Sequence, residues 1–216
     1  MYVIISAAMS LDGKIATISG ESKISSTQDL ERVHKLRGSV DAIMVGILTV
    51  IRDDPMLDVR YAKGNTKLPL RVILDSKASI PLSSRILKTA HNITTIVAVT
   101  RKASPKKIQC IENTGAHVLV AGNDRVDISA LFRYLDQIGC TRILVEGGGE
   151  TNWSLLNLGL IDEIIITVSS MIIGGRNAVT LVEGCGYSKI SDTLKLKLFK
   201  FERKNPDEVV LYYRSA

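Results

Sequence analysis

The sequence is poor in the residues that build cross-linked or metal-held scaffolds. Its 216 residues include only three cysteines and three histidines. Cys110, Cys140 and Cys185 are widely spaced and odd in number, which excludes a disulfide framework and any C-x-x-C ribbon; they read as buried small hydrophobes. His34, His91 and His117 stand within a ligand-like step neither of one another nor of a cysteine, so no metal site is expected. Long apolar runs are missing too. The longest, near Ile164 to Ile173, is broken by Thr167, Ser169 and Ser170 and falls well short of the roughly 20 residues a spanning helix needs. The first residues, Met1 to Met9, carry no basic n-region and run straight into Asp12, so neither a secretory signal nor a membrane partner is expected, and a cytoplasmic location follows.

What is present is the composition of a folded domain: 45% hydrophobic and 23% charged residues. The length suits one domain over residues 1–216, able to bury about 70% of its unfolded surface. The formal charge is +6, but its lysines and arginines are dispersed, with no aromatic-interleaved basic run. A small phosphorylated ligand accounts for that charge as well as a nucleic acid does, and no nucleic-acid partner is expected.

Short apolar runs alternate with segments of helical spacing. Strands are expected at Tyr2 to Ala8, Val40 to Val45, Leu70 to Leu74, Ile93 to Val99, Ala116 to Val120, Arg142 to Val145 and Ile164 to Val168. Helices are expected at Thr27 to Arg37, Lys106 to Thr114, Ile128 to Ile138 and Asn152 to Leu158. This is the pattern of an α/β fold with a mostly parallel central sheet flanked by helices. The C-terminal region differs: Leu194, Leu196 and Leu198 alternate with lysines, then Phe199 and Phe201 take the opposite parity, which predicts a β-bulge near Leu198 and Phe199. A turn at Asn205-Pro206-Asp207 and a run from Glu208 to Arg214 complete an antiparallel hairpin. Lys63 to Lys67 reads as a loop.

Three clusters could carry chemistry. In Arg142-Ile-Leu-Val-Glu-Gly-Gly-Gly-Glu-Thr-Asn-Trp153, a strand delivers Glu146, glycines turn the backbone, and a helix starts around Thr151 or Asn152, leaving amides and a dipole suited to a pyrophosphate. The same glycines also fit a plain strand-to-helix turn. In the second cluster Gly46 follows a strand, and Thr49 and Asp53 share one face of a short helix, placed to hydrogen-bond a ribose or amide; Asp53, Asp54 and Pro55 equally suit a simple helix end. The third is Ser10-Leu-Asp-Gly-Lys-Ile-Ala16, a turn followed by Ser22 and by Ser25 or Ser26 as cap of the helix bearing Arg37. Arg37 and Arg60 are each able to hold a phosphate through a bidentate fork, or to be ordinary surface arginines. His34 reads as a satisfied or solvated side chain.

Taken jointly, these motifs resemble the reductase of riboflavin biosynthesis. The resemblance rests on Ser10-Leu-Asp-Gly-Lys-Ile-Ala, Val33-His-Lys-Leu-Arg37, Asp41-Ala-Ile-Met-Val-Gly46, Thr49 with Asp53-Asp-Pro-Met-Leu57 and Val59-Arg60, Arg71-Val-Ile-Leu-Asp-Ser76, Val145-Glu-Gly-Gly-Gly149 and Leu160-Ile-Asp-Glu163, which occur in order along nearly the whole chain. It implies a dihydrofolate-reductase-like fold, a homodimer and NADPH as hydride donor. By motif position, Thr49, Asp53, Ser76 and the loop Gly147, Gly148, Gly149, Glu150, Thr151 and Asn152 would contact NADPH. Ser22, Arg37, Leu57, Arg60 and Glu146 would line the site of a phosphorylated pyrimidine, with Glu146 as candidate acid. Lys77, or Thr100 with Arg101 and Lys102, are our own candidates for the cofactor's 2′-phosphate.

Two departures refine this. The H-x-E and P-C-x-x-C elements of the zinc deaminase usually fused to bacterial members are absent here, so a purely reductive activity is expected. Ser6 stands where bacterial members tend to have lysine, and Lys23-Ile24 where they have a tryptophan, which resembles the archaeal and fungal branch that reduces before deamination. The expected reaction is hydride transfer to C1′ of 2,5-diamino-6-ribosylamino-4(3H)-pyrimidinone 5′-phosphate through a ring-opened imine. Its alternatives are reduction of the deaminated pyrimidine, a true dihydrofolate reductase, and a non-catalytic NADP- or nucleic-acid-binding protein.

Overall fold

The computed structural model describes residues 1–60 and 68–215; the loop expected at Lys63 to Lys67 lies outside them. In chain order the elements are β1 (Tyr2–Ser10), α1 (Thr27–Arg37), β2 (Ala42–Gly46), α2 (Ile47–Asp53), β3 (Leu70–Leu74), α3 (Arg85–Lys88), β4 (Thr95–Val99), α4 (Pro105–Glu112), β5 (His117–Val120), α5 (Ile128–Gln137), β6 (Arg142–Val145), α6 (Gly149–Asn157), β7 (Glu163–Ser169), β8 (Leu196–Asn205) and β9 (Glu208–Ser215). The chain divides into two units, one of His34–Leu144 with Met1, the other of Tyr2–Val33 and Val145–Ala216. The fold class expected from the sequence is the one observed: α/β, with parallel strands among helices and an antiparallel C-terminal hairpin.

In the first unit the strands run in the order β5-β4-β3-β2-β6, and the pairs β2/β3, β3/β4 and β4/β5 are parallel. Every residue of β2 and of β4 is buried, which is why both read as unbroken apolar runs rather than alternating ones. Helix α5 buries Ile128, Leu131, Phe132 and Leu135 on one stripe, and Asp127 caps it by accepting from the Ala130 amide at 2.9 Å. Asp41 Oδ2 accepts from the Thr141 amide, the Thr141 hydroxyl and the Arg142 amide (2.8–3.0 Å), fastening the approach to β6 beside that to β2. The short α3 has no counterpart in the periodicity reading. It is four residues long, capped by Ser84, and tied to the end of α2 by the Arg85 amide donating to Asp54 at 2.8 Å.

In the second unit the order is β1-β7-β9-β8, with β1 and β7 parallel and β7/β9 and β9/β8 antiparallel. The expected bulge is present as a register shift between Leu198 and Lys200, and a second lies between Arg203 and Asn205. The strand begins only at Leu196, so Leu194 precedes it. Ser26 caps α1: its hydroxyl accepts from the Asp29 amide at 3.3 Å and its carbonyl from the Leu30 amide at 3.0 Å. The Ser26 backbone amide and hydroxyl in turn both donate to the buried carboxylate of Glu208 in β9, which also accepts from the side-chain Nδ2 of Asn205 at 2.9 Å. Asp29, also buried, accepts from Arg32 and from Thr167 of β7, each at 2.7 Å.

Of the cysteines, Cys140 is buried as expected, but Cys110 is half-buried and Cys185 exposed. Cys185 lies in the irregular segment before β8, where no strand or helix packs it inward. Among the described residues no helix is long and apolar enough to cross a membrane.

Glu208 anchors a helix start to the C-terminal hairpin, so its truncation leaves part-buried donors without their acceptor. Glu208→Ala is expected to lower stability by about 1–3 kcal/mol, and Glu208→Gln, which keeps an acceptor, by less. Urea midpoints measure this, and equal midpoints for wild type and Glu208→Ala would overturn it.

Candidate functional site

In the first unit Thr49, Asp53, Ser76 and Thr100 follow the carboxyl ends of parallel strands, where a doubly covered sheet leaves accessible crevices. Helix α2 follows β2 directly and carries half-buried Thr49 and exposed Asp53. Ser76 follows β3. Its carbonyl accepts from the Thr100 hydroxyl at 2.8 Å and the Thr100 amide at 3.2 Å, so the ends of β3 and β4 are stitched together. The turn at Ser76 is built by buried Asp75, which accepts from the Ser79 hydroxyl (2.8 Å) and the Ile80 amide (2.7 Å). Among the candidates for a 2′-phosphate, Thr100 is fully buried and committed to Ser76, and Lys102 is paired with Asp124. Lys77 and Arg101 are exposed.

The structure brings Arg37, Leu57 and Arg60 together. Arg37 Nη1 donates to the Asp58 carbonyl at 3.0 Å, and Arg60 Nε to the Asp58 carboxylate at 2.9 and 3.1 Å. Arg60 is exposed, and among the described residues nothing engages its Nη1 or Nη2. Between them Leu57 is buried with φ +48°, a left-handed backbone that leucine rarely adopts. His34, expected to be satisfied or solvated, is buried, and its Nδ1 accepts the Arg60 amide at 3.1 Å. That bond requires a neutral ring with the proton on Nε2.

Arg71 was legible only as part of a motif. It interrupts the apolar run of β3, is fully buried, and burial pulls its guanidinium down to about 10 against the opposing charge of Asp58. The sequence signal was there: a cation inside a doubly covered strand has to be satisfied within the fold.

In the second unit β6 leads into half-buried Glu146 and the glycine turn. Gly147 and Gly148 have φ +110° and +89°, conformations that a side chain resists. Helix α6 begins at Gly149, with Gly148 as its cap, two or three residues earlier than expected. The reason is close packing: a Cβ on Gly149 would lie 2.7 Å from the Thr180 carbonyl and 2.5 Å from Glu183 Cγ, and the Gly149 carbonyl accepts from the Glu183 amide at 3.1 Å. In the first turns of α6 Thr151 and Asn152 are buried. Asn152 Nδ2 donates to the Leu181 carbonyl at 2.8 Å, while its Oδ1 is buried without a partner among the described residues. Such an orphan acceptor costs free energy unless a ligand donor meets it. Ser22 is exposed, in the segment leading to α1.

A separate cavity of about 350 Å³ in this unit is lined almost wholly by apolar side chains, including Met9, Trp153, Leu156 and Tyr213. None of the expected cofactor or substrate residues lines it, and its lining offers no charged side chain to a phosphate.

The turn before α6 depends on glycine at a position whose positive φ a side chain resists. Gly148→Ala is expected to cost about 1–3 kcal/mol of stability and to weaken dinucleotide binding by tenfold or more, read by thermal unfolding and by fluorescence titration with NADPH. Wild-type affinity in a folded variant would remove the turn from the site.

The RibD C-terminal domain family model matches residues 1–210. The 2,5-diamino-6-ribosylamino-4(3H)-pyrimidinone 5′-phosphate reductase of Methanothermobacter thermautotrophicus is 43% identical over 214 residues, 98% of this chain and 97% of that one. The riboflavin biosynthesis protein RibD of Actinobacillus pleuropneumoniae is 37% identical, with 98% of this chain covering 56% of it. Among solved structures, RibD of Acinetobacter baumannii superposes with a TM-score of 0.85 at 26% identity, over all of this chain and 58% of that one. The chain therefore spans little more than half of these RibD proteins and nearly all of the Methanothermobacter reductase. With the family model matching almost from end to end on this α/β fold and its glycine turn, the chain belongs to the RibD C-terminal domain family.

Proposed function

We propose that residues 1–216 act as one reductase domain that reduces the ribose C1′ of 2,5-diamino-6-ribosylamino-4(3H)-pyrimidinone 5′-phosphate to the ribitylamino product in riboflavin biosynthesis, with NADPH as cofactor. The observation that carries this reading is the match over nearly the full length of both chains to a reductase of that name, at 43% identity. NADPH, when bound, supplies the hydride. The residues present suit a dinucleotide: an unpartnered buried acceptor at Asn152 Oδ1, and a nine-residue helix whose first turn follows two glycines of positive φ. Gly147 to Asn152, with Thr49, Asp53 and Ser76, would hold it, and exposed Lys77 and Arg101 supply cationic charge for a 2′-phosphate.

The chain's own part is binding, orientation and a proton. Arg37 and Arg60 meet the substrate's 5′-phosphate, for which the unengaged Nη1 and Nη2 of Arg60 make a ready fork. Ser22 and Leu57 line the pyrimidine ribose. Reduction at C1′ needs the ribose ring open, as an imine, and protonating the imine nitrogen makes C1′ the better acceptor. Glu146 is assigned that proton.

A cytoplasmic setting fits three cysteines that form no disulfide among the described residues. We also assign a homodimer. In support, Leu198, Phe199 and Phe201 of β8 are 50%, 43% and 70% exposed at the end of a sheet, an apolar edge that monomers usually protect.

Three outcomes are expected. NADPH oxidation should be confined to the diaminopyrimidinone ribosyl phosphate when it is offered in parallel with its deaminated counterpart and with dihydrofolate; preference for the deaminated compound keeps the family and changes the substrate, and silence with all three overturns the assignment. Glu146→Gln should lower turnover or substrate affinity by about tenfold or more with NADPH binding retained, and unchanged kinetics would exclude it. Sedimentation should give twice the chain mass for the wild type and a monomer for Leu198→Glu/Phe201→Glu; a monomeric wild type would overturn the dimer.

A further inference from the structure

The segment from Asp54 to Arg60 holds two of the residues assigned to substrate, and its backbone is unfavourable by itself. Asp54 and Leu57 have φ +39° and +48°, a left-handed region that leucine in particular keeps only where neighbouring structure imposes it. No strand or helix runs through the segment. Its conformation is imposed by three side chains of the same unit: Arg37 on the Asp58 carbonyl, His34 on the Arg60 amide, and Arg71 Nη1 on the Met56 carbonyl at 3.2 Å.

Arg71 differs from the other two because it is fully buried and makes no ion pair among the described residues. Its remaining bonds go to neutral oxygens: Nε to the Thr95 hydroxyl (3.0 Å), Nη1 also to the Thr89 hydroxyl (2.8 Å), and Nη2 to the Ile86 and Ile93 carbonyls (3.0 and 3.1 Å). The guanidinium is thus keyed to α3, to the loop before β4 and to β4 itself, and presents one N–H to Met56. A buried cation hydrogen-bonded only to neutral oxygens, with the Asp58 carboxylate favouring its charge from beyond ion-pair distance, is a poor way to stabilise a strand, since an apolar side chain of similar volume is often neutral or better for folding. What the planar fork provides, and an apolar side chain or a lysine does not, is a rigid donor array of fixed direction.

We propose that Arg71 is a positioning residue for the substrate: through the Met56 carbonyl it holds left-handed Leu57, and with it Arg60, in the arrangement that receives the 5′-phosphate. This rests on the assignment of Leu57 and Arg60 to the substrate made above. Arg71 touches no reacting atom in this scheme.

The test compares Arg71→Lys with the milder Thr95→Val, which removes the Nε partner and leaves the guanidinium in place. Each is assayed with the phosphorylated substrate and with its dephosphorylated nucleoside, alongside NADPH titration. Arg71→Lys is expected to raise KM for the phosphorylated substrate by about tenfold or more, with kcat changed far less and NADPH affinity retained. It should erase most of the preference for phosphorylated over dephosphorylated substrate. Thr95→Val should move the same ratio in the same direction by a smaller factor, so the proposal stays testable if Arg71→Lys does not fold. Wild-type phosphate preference in either folded variant overturns the proposal, as does a parallel fall in kcat and NADPH affinity with the preference intact, which is what a purely structural role produces. Absence of turnover by the wild type overturns the substrate reading itself, and the proposal with it.

Discussion

Strands buried on both faces dictate where chemistry can sit. In β2 and β4 every residue is inside, so side chains along those strands are committed to packing, and polar function is pushed to the loops beyond the carboxyl ends. α2, the Asp75 turn with Ser76, and Thr100 all occupy such positions in the first unit. The same constraint makes Arg71 exceptional, since a cation within a fully covered strand survives only because each donor it directs inward finds an oxygen.

Loops at strand ends have to be held by something other than a ladder of backbone bonds. Here buried or half-buried carboxylates do much of that work: Asp41 gathers the start of β6, Asp75 closes the turn after β3, and Glu208 holds the cap of α1. Each replaces solvation with several charge-assisted bonds to amides or hydroxyls, which are stronger than neutral ones and directional. Rigid loop ends are what a reductase needs, because hydride transfer depends on holding two carbons close together and little else.

The glycine turn before α6 solves a different problem. Its amides and the helix dipole favour an anion, and Gly149 lets the helix lie against the Thr180 carbonyl at a distance no Cβ permits. The orphan oxygen of Asn152 belongs to the same few residues. Buried polar atoms without partners are rare in folded proteins, and one beside a dinucleotide-type turn is consistent with a site built for a ligand with hydroxyl or amide donors.

By itself the sequence determined the fold class, most elements, the C-terminal hairpin and its bulge at Leu198, because the periods of strand and helix and the parity of side chains are local properties of the chain. The order of the motifs likewise marked Thr49, Ser76, Glu146 and the glycine turn. Tertiary structure alone decided what depends on residues distant in sequence. Arg71 bonds partners 15 to 24 positions away, His34 meets an amide 26 positions on, and α6 starts at Gly149 rather than Thr151 because residues 180 and 183 pack against it. Cys185 is exposed although Gly184 and Tyr187 beside it lie against Trp153 of α6, a contact that spacing does not reveal. Spacing says which residues share a face, but not which loop from elsewhere in the chain supplies the oxygen that a buried donor requires.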